Sequence, residues 1–165
     1  MWRTLQVLYL MAPVYAANMA APFARVLPGV PRPISERWLG SHKTWRGCLL
    51  AVLASTLTAW VQARLHWTGD LIAYDDWFHL GVLCGVAAMA GDSAKSFVKR
   101  RLGIAAGDPW IPADQLDYVI AGLLALSIWH RFGWTDVAIV VAISFVGSLL
   151  VNRLSARLGI KSTIW

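Results

Sequence analysis

Long apolar runs separated by shorter polar connections dominate the chain. Three of the five runs approach the length of about 20 residues that an α-helix needs to cross a bilayer. The runs are Thr4–Ala24, Gly47–Leu65, Trp77–Ala90, Leu116–Trp129 and Thr135–Asn152. This pattern predicts an all-α integral membrane protein with five transmembrane helices, folded as a single membrane-embedded domain over residues 1–165.

The third and fourth runs stop short at polar residues, and this sets the predicted depth of a polar site. They reach spanning length only if the third extends through Asp92 to Phe97 and the fourth extends from Trp134 back to Asp114. The carboxylates then lie about one or two helical turns below the membrane surface. We therefore expect a polar pocket recessed into the bilayer.

Composition agrees with a membrane protein. The 165 residues are 58% hydrophobic and only 15% charged, and ten are Trp, which favours the headgroup region. A soluble domain is nearer one-quarter charged. The net charge is +6, and the basic residues lie beside apolar runs. This favours anionic lipid and anionic nucleotide over nucleic acid as partners. Cys48 and Cys84 lie within apolar runs and are predicted to be small buried thiols.

The basic residues predict the orientation in the cell membrane. All 15 Lys and Arg except Arg3, Arg64 and Arg131 lie in the 25–46 connection, the 91–115 connection or the C-terminal tail. By the positive-inside rule, the N-terminus is outside and both long connections and the C-terminus are cytoplasmic. A cleaved N-terminal signal peptide is the alternative, and it would place every later basic loop on the wrong side.

The third run continues into a charged helical face. Asp92, Ser96 and Lys99 recur at i, i+4 and i+7, with Lys95 and Arg100 beside them. A carboxylate near the membrane and cations nearer the water suit a metal triphosphate. A basic juxtamembrane helix that binds anionic lipids is the alternative interpretation.

Asp114 and Asp117 lie one turn apart just after Pro112, a helix-start signal. A single Asp here is typical of an N-cap. The two together with Asp92 favour a site for a hard cation such as Mg²⁺. Asp108 fits either an ordinary turn or the same site.

The first cytoplasmic connection offers further cations. Lys43 and Arg46 lie about one turn apart and suit phosphate, although taken alone they are more typical of positive-inside flanking beside an interfacial Trp45. Asn18, in the middle of the first run, fits either a helix–helix hydrogen bond or a substrate contact. The phosphate-loop, zinc-protease, serine-hydrolase and dinucleotide motifs are absent from the sequence.

Together these residues resemble the CDP-archaeol synthase family, a short branch related to phosphatidate cytidylyltransferases. The resemblance covers nearly the whole chain, and its last two blocks are the specific ones. The matching stretches are Ala12-Pro13-Val14-Tyr15-Ala16-Ala17-Asn18, Lys43-Thr44 with Gly47, Gly91-Asp92-x-x-x-Ser96-x-x-Lys99-Arg100-Arg101, and Gly107-Asp108 with Pro112-x-Asp114-Gln115-Leu116-Asp117. This sequence departs from larger relatives at Gln115, where they have Arg, and from archaeal members at Gly40-Ser41-His42, where they have Gly-Asp-Gly.

The resemblance implies transfer of CMP from CTP to a membrane lipid phosphate, of archaeol type or similar, with release of pyrophosphate and a need for Mg²⁺. It assigns the metal to Asp92, Asp114 and Asp117, and the triphosphate to the catalytic residues Ser96, Lys99 and Arg100. Substrate contacts are expected from Lys43, Thr44, Arg46, Asn18, Lys95, Arg101 and Asp108.

This chemistry agrees with the residue types. A lipid phosphomonoester has a second pKa of about 6, so it is ionised near pH 7 and attacks without a general base. Alignment and charge neutralisation then suffice, which acids, bases and Ser provide. A small transporter or a lipid-anchored assembly subunit without catalysis is the alternative function. The sequence leaves the oligomeric state and the lipid chains open.

Overall fold

The computed structural model describes residues 1–30, 32–105 and 108–157, with side chains to residue 153. Six α-helices lie within these ranges. They are α1 (Trp2–Ala20), α2 (Glu36–Leu39), α3 (Trp45–Leu65), α4 (Trp77–Arg101), α5 (Ala113–Leu126) and α6 (Trp134–Arg157), and a 3-10 turn over Ala21–Arg25 prolongs α1. The predicted all-α class is confirmed. Gly107, Lys161 and the side chain of Arg157 lie outside the described residues.

The helix ends follow local chemistry. The Thr44 hydroxyl accepts a hydrogen bond from the Gly47 N–H at 3.1 Å and caps α3, which ends at His66 in the left-handed region. Helix α4 runs unbroken through Asp92, as the sequence predicts. Helix α5 has 14 residues, about 21 Å, so its end falls short of the predicted Trp129.

Three helices are long and apolar enough to cross a membrane: α1 with its 3-10 turn (Trp2–Arg25), α3 (Trp45–Leu65) and residues Trp134–Arg153 of α6. Helix α4 has the length but carries the charged face, and α5 is shorter than the roughly 30 Å hydrocarbon layer. These three candidate spans agree with the predicted integral membrane protein. Five complete crossings stay a prediction for α4 and α5.

Helix α4 is the centre of the bundle and contacts α1, α3 and α5. Its glycines permit the approach to α3, because a Cβ at Gly81 would lie 2.5 Å from the Thr56 Cα and one at Gly85 would lie 2.7 Å from the Val52 Cα. Opposite this seam, α3 exposes Leu49, Leu53 and Leu57 at four-residue spacing, the side that suits lipid. Cys84 is buried as predicted, Cys48 is half-buried, and both are free thiols.

The connection between α1 and α3 contains structure that the sequence analysis did not predict. The short α2 lies in it, and Pro33 forms an antiparallel bridge with Thr44. The Ile34 N–H donates to the Lys43 carbonyl at 2.7 Å, and the Trp45 N–H donates to the Arg32 carbonyl at 3.2 Å. These bonds fix the backbone of Lys43 at the entrance of α3.

Candidate active site

The three predicted metal-binding aspartates converge around one lysine. The Lys95 Nζ lies 3.1 Å from Asp92 Oδ1, 3.1 Å from Asp114 Oδ1 and 2.8 Å from Asp117 Oδ2. Asp92 and Lys95 come from the second half of α4, whereas Asp114 and Asp117 come from the first two turns of α5. The side chains of Asp117 and Lys95 are only 6% and 14% exposed, so these charges interact in a poorly solvated setting.

Two further lysines complete this charged cluster. Lys43 pairs with Asp92 from the first connection. The Lys99 Nζ lies 3.1 Å from Asp114 Oδ2 and also donates to the Asp108 carbonyl. We call Lys43, Lys95, Lys99, Asp92, Asp114 and Asp117 the lysine–aspartate cluster. Its three formal positive charges balance its three negative ones.

Close contact between α4 and α5 brings the cluster together. A Cβ at Gly91 would lie 2.5 Å from the Asp117 carbonyl oxygen and 2.8 Å from the Ala121 Cβ, so only glycine allows this approach. The Asp114 Oδ2 accepts a hydrogen bond from the Trp110 N–H at 2.6 Å, which fixes this carboxylate from the chain preceding α5.

Two cavities meet beside the cluster. One, of about 660 Å³, has Lys95, Lys99 and Asp114 at its polar end and is otherwise walled mainly by α1 and α6, including Leu8 and Ile143. The other, of about 590 Å³, which we call the polar cavity, is lined by charged and polar side chains together with apolar ones such as Ala21, Pro22 and Met89. Among the residues that line the second are Arg25, Ser41, His42, Lys43, Thr44, Asp92 and Ser93. Asn18 and Pro22 border both cavities.

Positive charges surround His42, which lines the polar cavity. Desolvation of the imidazole lowers the pKa of His42, and the nearby charges of Arg25, Lys43 and Arg100 lower it further. The histidine is therefore neutral at pH 7. The same cations that oppose its protonation favour an anion such as phosphate.

Residues 2–165 match the family model described as CarS-like CDP-archaeol synthase. The chain belongs to the CDP-archaeol synthase family.

Individual relatives agree with this assignment over nearly full length. The CDP-archaeol synthase of Aeropyrum pernix is 38% identical over 99% of this chain and 95% of its own. That of Sulfurisphaera tokodaii is 34% identical over 93% and 91%. A solved structure described as an intramembrane enzyme for archaeal membrane lipid biosynthesis superposes with a TM-score of 0.75 at 27% identity, covering 90% of this chain and 93% of that one. The predicted family and its activity, CTP-dependent cytidylyl transfer to an archaeal lipid phosphate, are confirmed.

Several residues that the family resemblance assigns to substrate have other partners in the structure. The Arg46 Nη1 donates to the Pro28 and Gly29 carbonyls at 2.9 and 3.2 Å. The Arg101 guanidinium lies over the rings of Trp38 and Phe97. The structure therefore places Arg46 and Arg101 in contacts that shape the connections rather than in the lysine–aspartate cluster, and their predicted substrate contacts receive no support from this geometry.

The remaining predicted residues lie nearer the site. The buried Ser96 hydroxyl donates to the Asp92 carbonyl at 2.8 Å, a bond within α4, and Thr44 caps α3 beside the polar cavity. The Arg100 Nε is buried and has no hydrogen-bond partner in the described part of the chain. Asp108 is exposed at the edge of the larger cavity. Their roles in CDP-archaeol synthesis stay predictions.

The sequence analysis missed the polar side of α6. The Tyr15 and Ser144 hydroxyls lie 2.8 Å apart, and those of Tyr118 and Ser148 lie 3.2 Å apart, all on the larger cavity. Ser144, Ser148 and Asn152 recur at four-residue spacing within an otherwise apolar helix. That periodicity is a signal that could have found them.

The cluster has the donor chemistry for Mg²⁺. Its carboxylate oxygens are hard ligands, and the buried Asp117 Oδ2 receives no aligned hydrogen bond although it lies near Lys95. In residues 1–30, 32–105 and 108–157, however, the acids, histidines and cysteines form no preassembled metal-binding group. The lysines hold the carboxylates instead. Mg²⁺ binding therefore stays a prediction.

Proposed function

We propose that this chain transfers the CMP group of CTP to an archaeol-type lipid phosphate, such as 2,3-di-O-geranylgeranylglyceryl phosphate. The observation that carries the proposal is the position of the lysine–aspartate cluster beside two adjoining cavities, one that extends between α1 and α6 and one lined by Arg25, His42 and Lys43. A reaction between a lipid and a nucleotide needs such a junction, because one substrate arrives through hydrocarbon and the other through water.

The linings of the two cavities support one assignment of the substrates. The polar cavity takes the phosphates of CTP near Arg25, His42 and Lys43. The larger cavity takes the lipid, with its chains beside α1 and α6 and its phosphate toward Lys95. Asn18, which borders both cavities, contacts the two substrates where they meet.

The reaction requires alignment more than proton transfer. An oxygen of the lipid phosphate forms a bond to the α-phosphorus of CTP, and the bond from that phosphorus to the β-phosphate oxygen breaks and releases pyrophosphate. The attacking phosphate is already ionised near pH 7. Lys99 and Arg100 neutralise charge on the triphosphate. When bound by Asp92, Asp114 and Asp117, Mg²⁺ would supply Lewis-acid polarisation and orientation of the phosphates.

The topology that fits this chemistry has five crossings, the N-terminus outside and the cluster open to the cytoplasm. The basic residues around α2 and at the end of α4 support this orientation. The shortness of α5 supports the recessed position of the site, since a helix of about 21 Å whose C-terminal end lies at the outer interface has its N-terminal end inside the bilayer.

The proposal is tested with the purified protein, CTP labelled at the α-phosphorus, Mg²⁺ and an ether-linked lipid phosphate. We expect label to enter the organic phase with the wild type. Asp92→Asn, Asp114→Asn and Asp117→Asn should each reduce this transfer by on the order of 10²–10³-fold or more.

Asp75→Asn is the matched control, because Asp75 is exposed in the connection between α3 and α4 and should leave transfer unchanged. Near-full turnover in all three cluster variants would contradict the site. Label that stays in water with every lipid phosphate tested would contradict the activity and favour a transporter or an assembly subunit.

A further inference from the structure

Lys95 differs from the other cluster lysines in the number of carboxylates it contacts. Of the lysines that the structure describes, it alone contacts Asp92, Asp114 and Asp117 together, at 2.8–3.1 Å. Lys43 pairs with Asp92, while Lys99 pairs with Asp114 and is held by the Asp108 carbonyl. The Lys95 ammonium therefore lies among the three carboxylates, where a shared divalent cation would bind.

The charge balance of the cluster opposes binding of a divalent cation alone. Three lysines already neutralise three aspartates in a poorly solvated setting, so an added dication would leave two uncompensated positive charges. A dication can be accommodated only if an ammonium leaves its carboxylates and finds an anion elsewhere. Lys95 has a flexible four-carbon stem and lines the larger cavity, where the lipid phosphate is proposed to bind.

We propose that Lys95 is an exchangeable counter-ion that couples cation binding to phosphate binding. Without ligands its ammonium holds the three carboxylates together. When a divalent cation is bound, the ammonium moves onto a phosphate group in the adjoining cavity, and no covalent bond changes. Each ligand then strengthens binding of the other by the same factor, as linkage requires. This inference rests on the proposed function but concerns binding rather than turnover.

Mn²⁺ affinity without turnover tests the inference. The wild-type protein and Lys95→Met are titrated with Mn²⁺, and free Mn²⁺ is followed by electron paramagnetic resonance. Three conditions are compared: Mn²⁺ alone, Mn²⁺ with a non-hydrolysable CTP analogue, and Mn²⁺ with vesicles containing an ether-linked lipid phosphate. We expect Lys95→Met to bind Mn²⁺ alone at least about 10-fold more tightly than the wild type, because the competing ammonium is gone.

The phosphate conditions identify the coupled ligand. In the wild type, the phosphate ligand that receives Lys95 should tighten Mn²⁺ binding by about 5-fold or more, and in Lys95→Met by less than about 2-fold. The position of Lys95 on the larger cavity predicts the lipid phosphate as the stronger partner. Coupling to the CTP analogue alone would overturn that assignment, although the counter-ion role would stand.

Arg101→Met is the matched control. It removes one positive charge from the same helix, but the Arg101 guanidinium stacks on Trp38 and Phe97 away from the carboxylates, so Mn²⁺ affinity should change by less than about 2-fold. Lys95→Gln serves in place of Lys95→Met if the latter fails to fold. Equal or weaker Mn²⁺ binding in the folded Lys95 variant would overturn the inference. Absence of CMP transfer by the wild type would instead contradict the proposed function, and the Mn²⁺ affinities could still be interpreted.

Discussion

Each end of the helix bundle has a charged group of residues, and the two are built differently. At the N-terminal end of α1, Asp136 accepts hydrogen bonds from the Arg3 Nε at 2.8 Å, the Arg3 Nη2 at 2.6 Å and the Gly133 N–H at 3.2 Å. At the opposite end, Lys95 is shared among three carboxylates, and the Asp117 Oδ2 has no aligned hydrogen bond in the described structure. Asp136 therefore has fixed partners, whereas the three carboxylates of the lysine–aspartate cluster share one ammonium group.

This difference separates a structural role from a binding role. The bidentate Arg3–Asp136 pair joins α1 to α6 and restrains both side chains. The lysine–aspartate cluster is electrically neutral but imperfectly bonded, so a phosphate and a cation that bind together can replace its existing partners. Buried ion pairs that lack complete hydrogen bonding contribute little to stability. We therefore expect substitutions at the first group to affect folding and those at the second to affect activity.

Outside the cluster residues themselves, the largest expected effect comes from separating the two helices that hold the cluster. Gly91→Ala places a methyl group within 2.5 Å of the Asp117 carbonyl oxygen, so α5 must move away from Asp92. A displacement of about 1 Å at a reacting centre costs up to roughly 10²-fold in rate. We expect Gly91→Ala to lower kcat for CMP transfer by at least about 10-fold, measured with labelled CTP.

Gly85→Ala is the matched comparison on the same helix. Its methyl group would meet the Val52 Cα at 2.7 Å in the α3–α4 seam, more than one turn from the cluster. It should lower kcat less than Gly91→Ala does, because its methyl group meets α3 and not the helix that carries Asp114 and Asp117. The reverse order of the two kcat values would show that the α4–α5 contact does not position the carboxylates.

The same two regions show what the sequence could predict. The continuation of α4 through Asp92 followed from the mismatch between apolar length and membrane thickness, a one-dimensional property that the sequence contains. The convergence of Asp92 with Asp114 and Asp117 was expected from their positions at neighbouring helix ends. The occupancy of their centre by Lys95 was not, because helical spacing gives the face of a side chain but not which carboxylate its flexible end reaches.

Other features depend on contacts distant in sequence. Arg46 and Arg101 have the charge and spacing of phosphate ligands, yet carbonyl groups and aromatic rings in the α2 region hold them. The bridge between Pro33 and Thr44 that fixes Lys43 lacks the alternating pattern of a strand. The Arg3–Asp136 pair joins residues 133 positions apart, which no local pattern encodes.

A smaller effect is expected at the end of the bundle that carries the Arg3–Asp136 pair. Arg3→Met removes both charge-assisted hydrogen bonds to Asp136, whose side chain is only 6% exposed, and should cost about 1–2 kcal/mol in the free energy of unfolding. For a chain of this size the corresponding decrease in Tm is about 2–8 °C. Thermal unfolding in detergent measures it.

CMP transfer below the new Tm should stay within about 2-fold of wild type, since Arg3 lies at the opposite end of the bundle from the cluster. Arg64→Met removes an equivalent charge from the end of α3, where the guanidinium lies over Trp60, and is the control for charge alone. An unchanged Tm in Arg3→Met would mean that the pair does not join α1 to α6.

The smallest expected effect is the pH dependence of stability, to which one histidine at each end of the bundle contributes. Desolvation lowers the pKa of His42 beside the polar cavity and of His130 beside Arg3. An unfolded histidine has a pKa of about 6.5, so as pH falls through that value the unfolded chain binds protons before the folded protein does, and stability decreases. His42→Gln and His130→Gln should each reduce this loss, and solvent screening limits each change in Tm to less than about 2 °C.

The pKa values of the two histidines should respond differently to salt. The charges around His42 come from Arg25, Lys43 and Arg100, which all lower its pKa, whereas at His130 the effect of Arg3 is opposed by that of Asp136. Raising the salt concentration screens these charges and should return the pKa of His42 toward its ordinary value more than that of His130. The contribution of His42 to the low-pH loss of Tm should therefore shrink in high salt, while that of His130 persists. Equal salt sensitivity in the two variants would contradict a positive potential confined to the substrate end of the bundle.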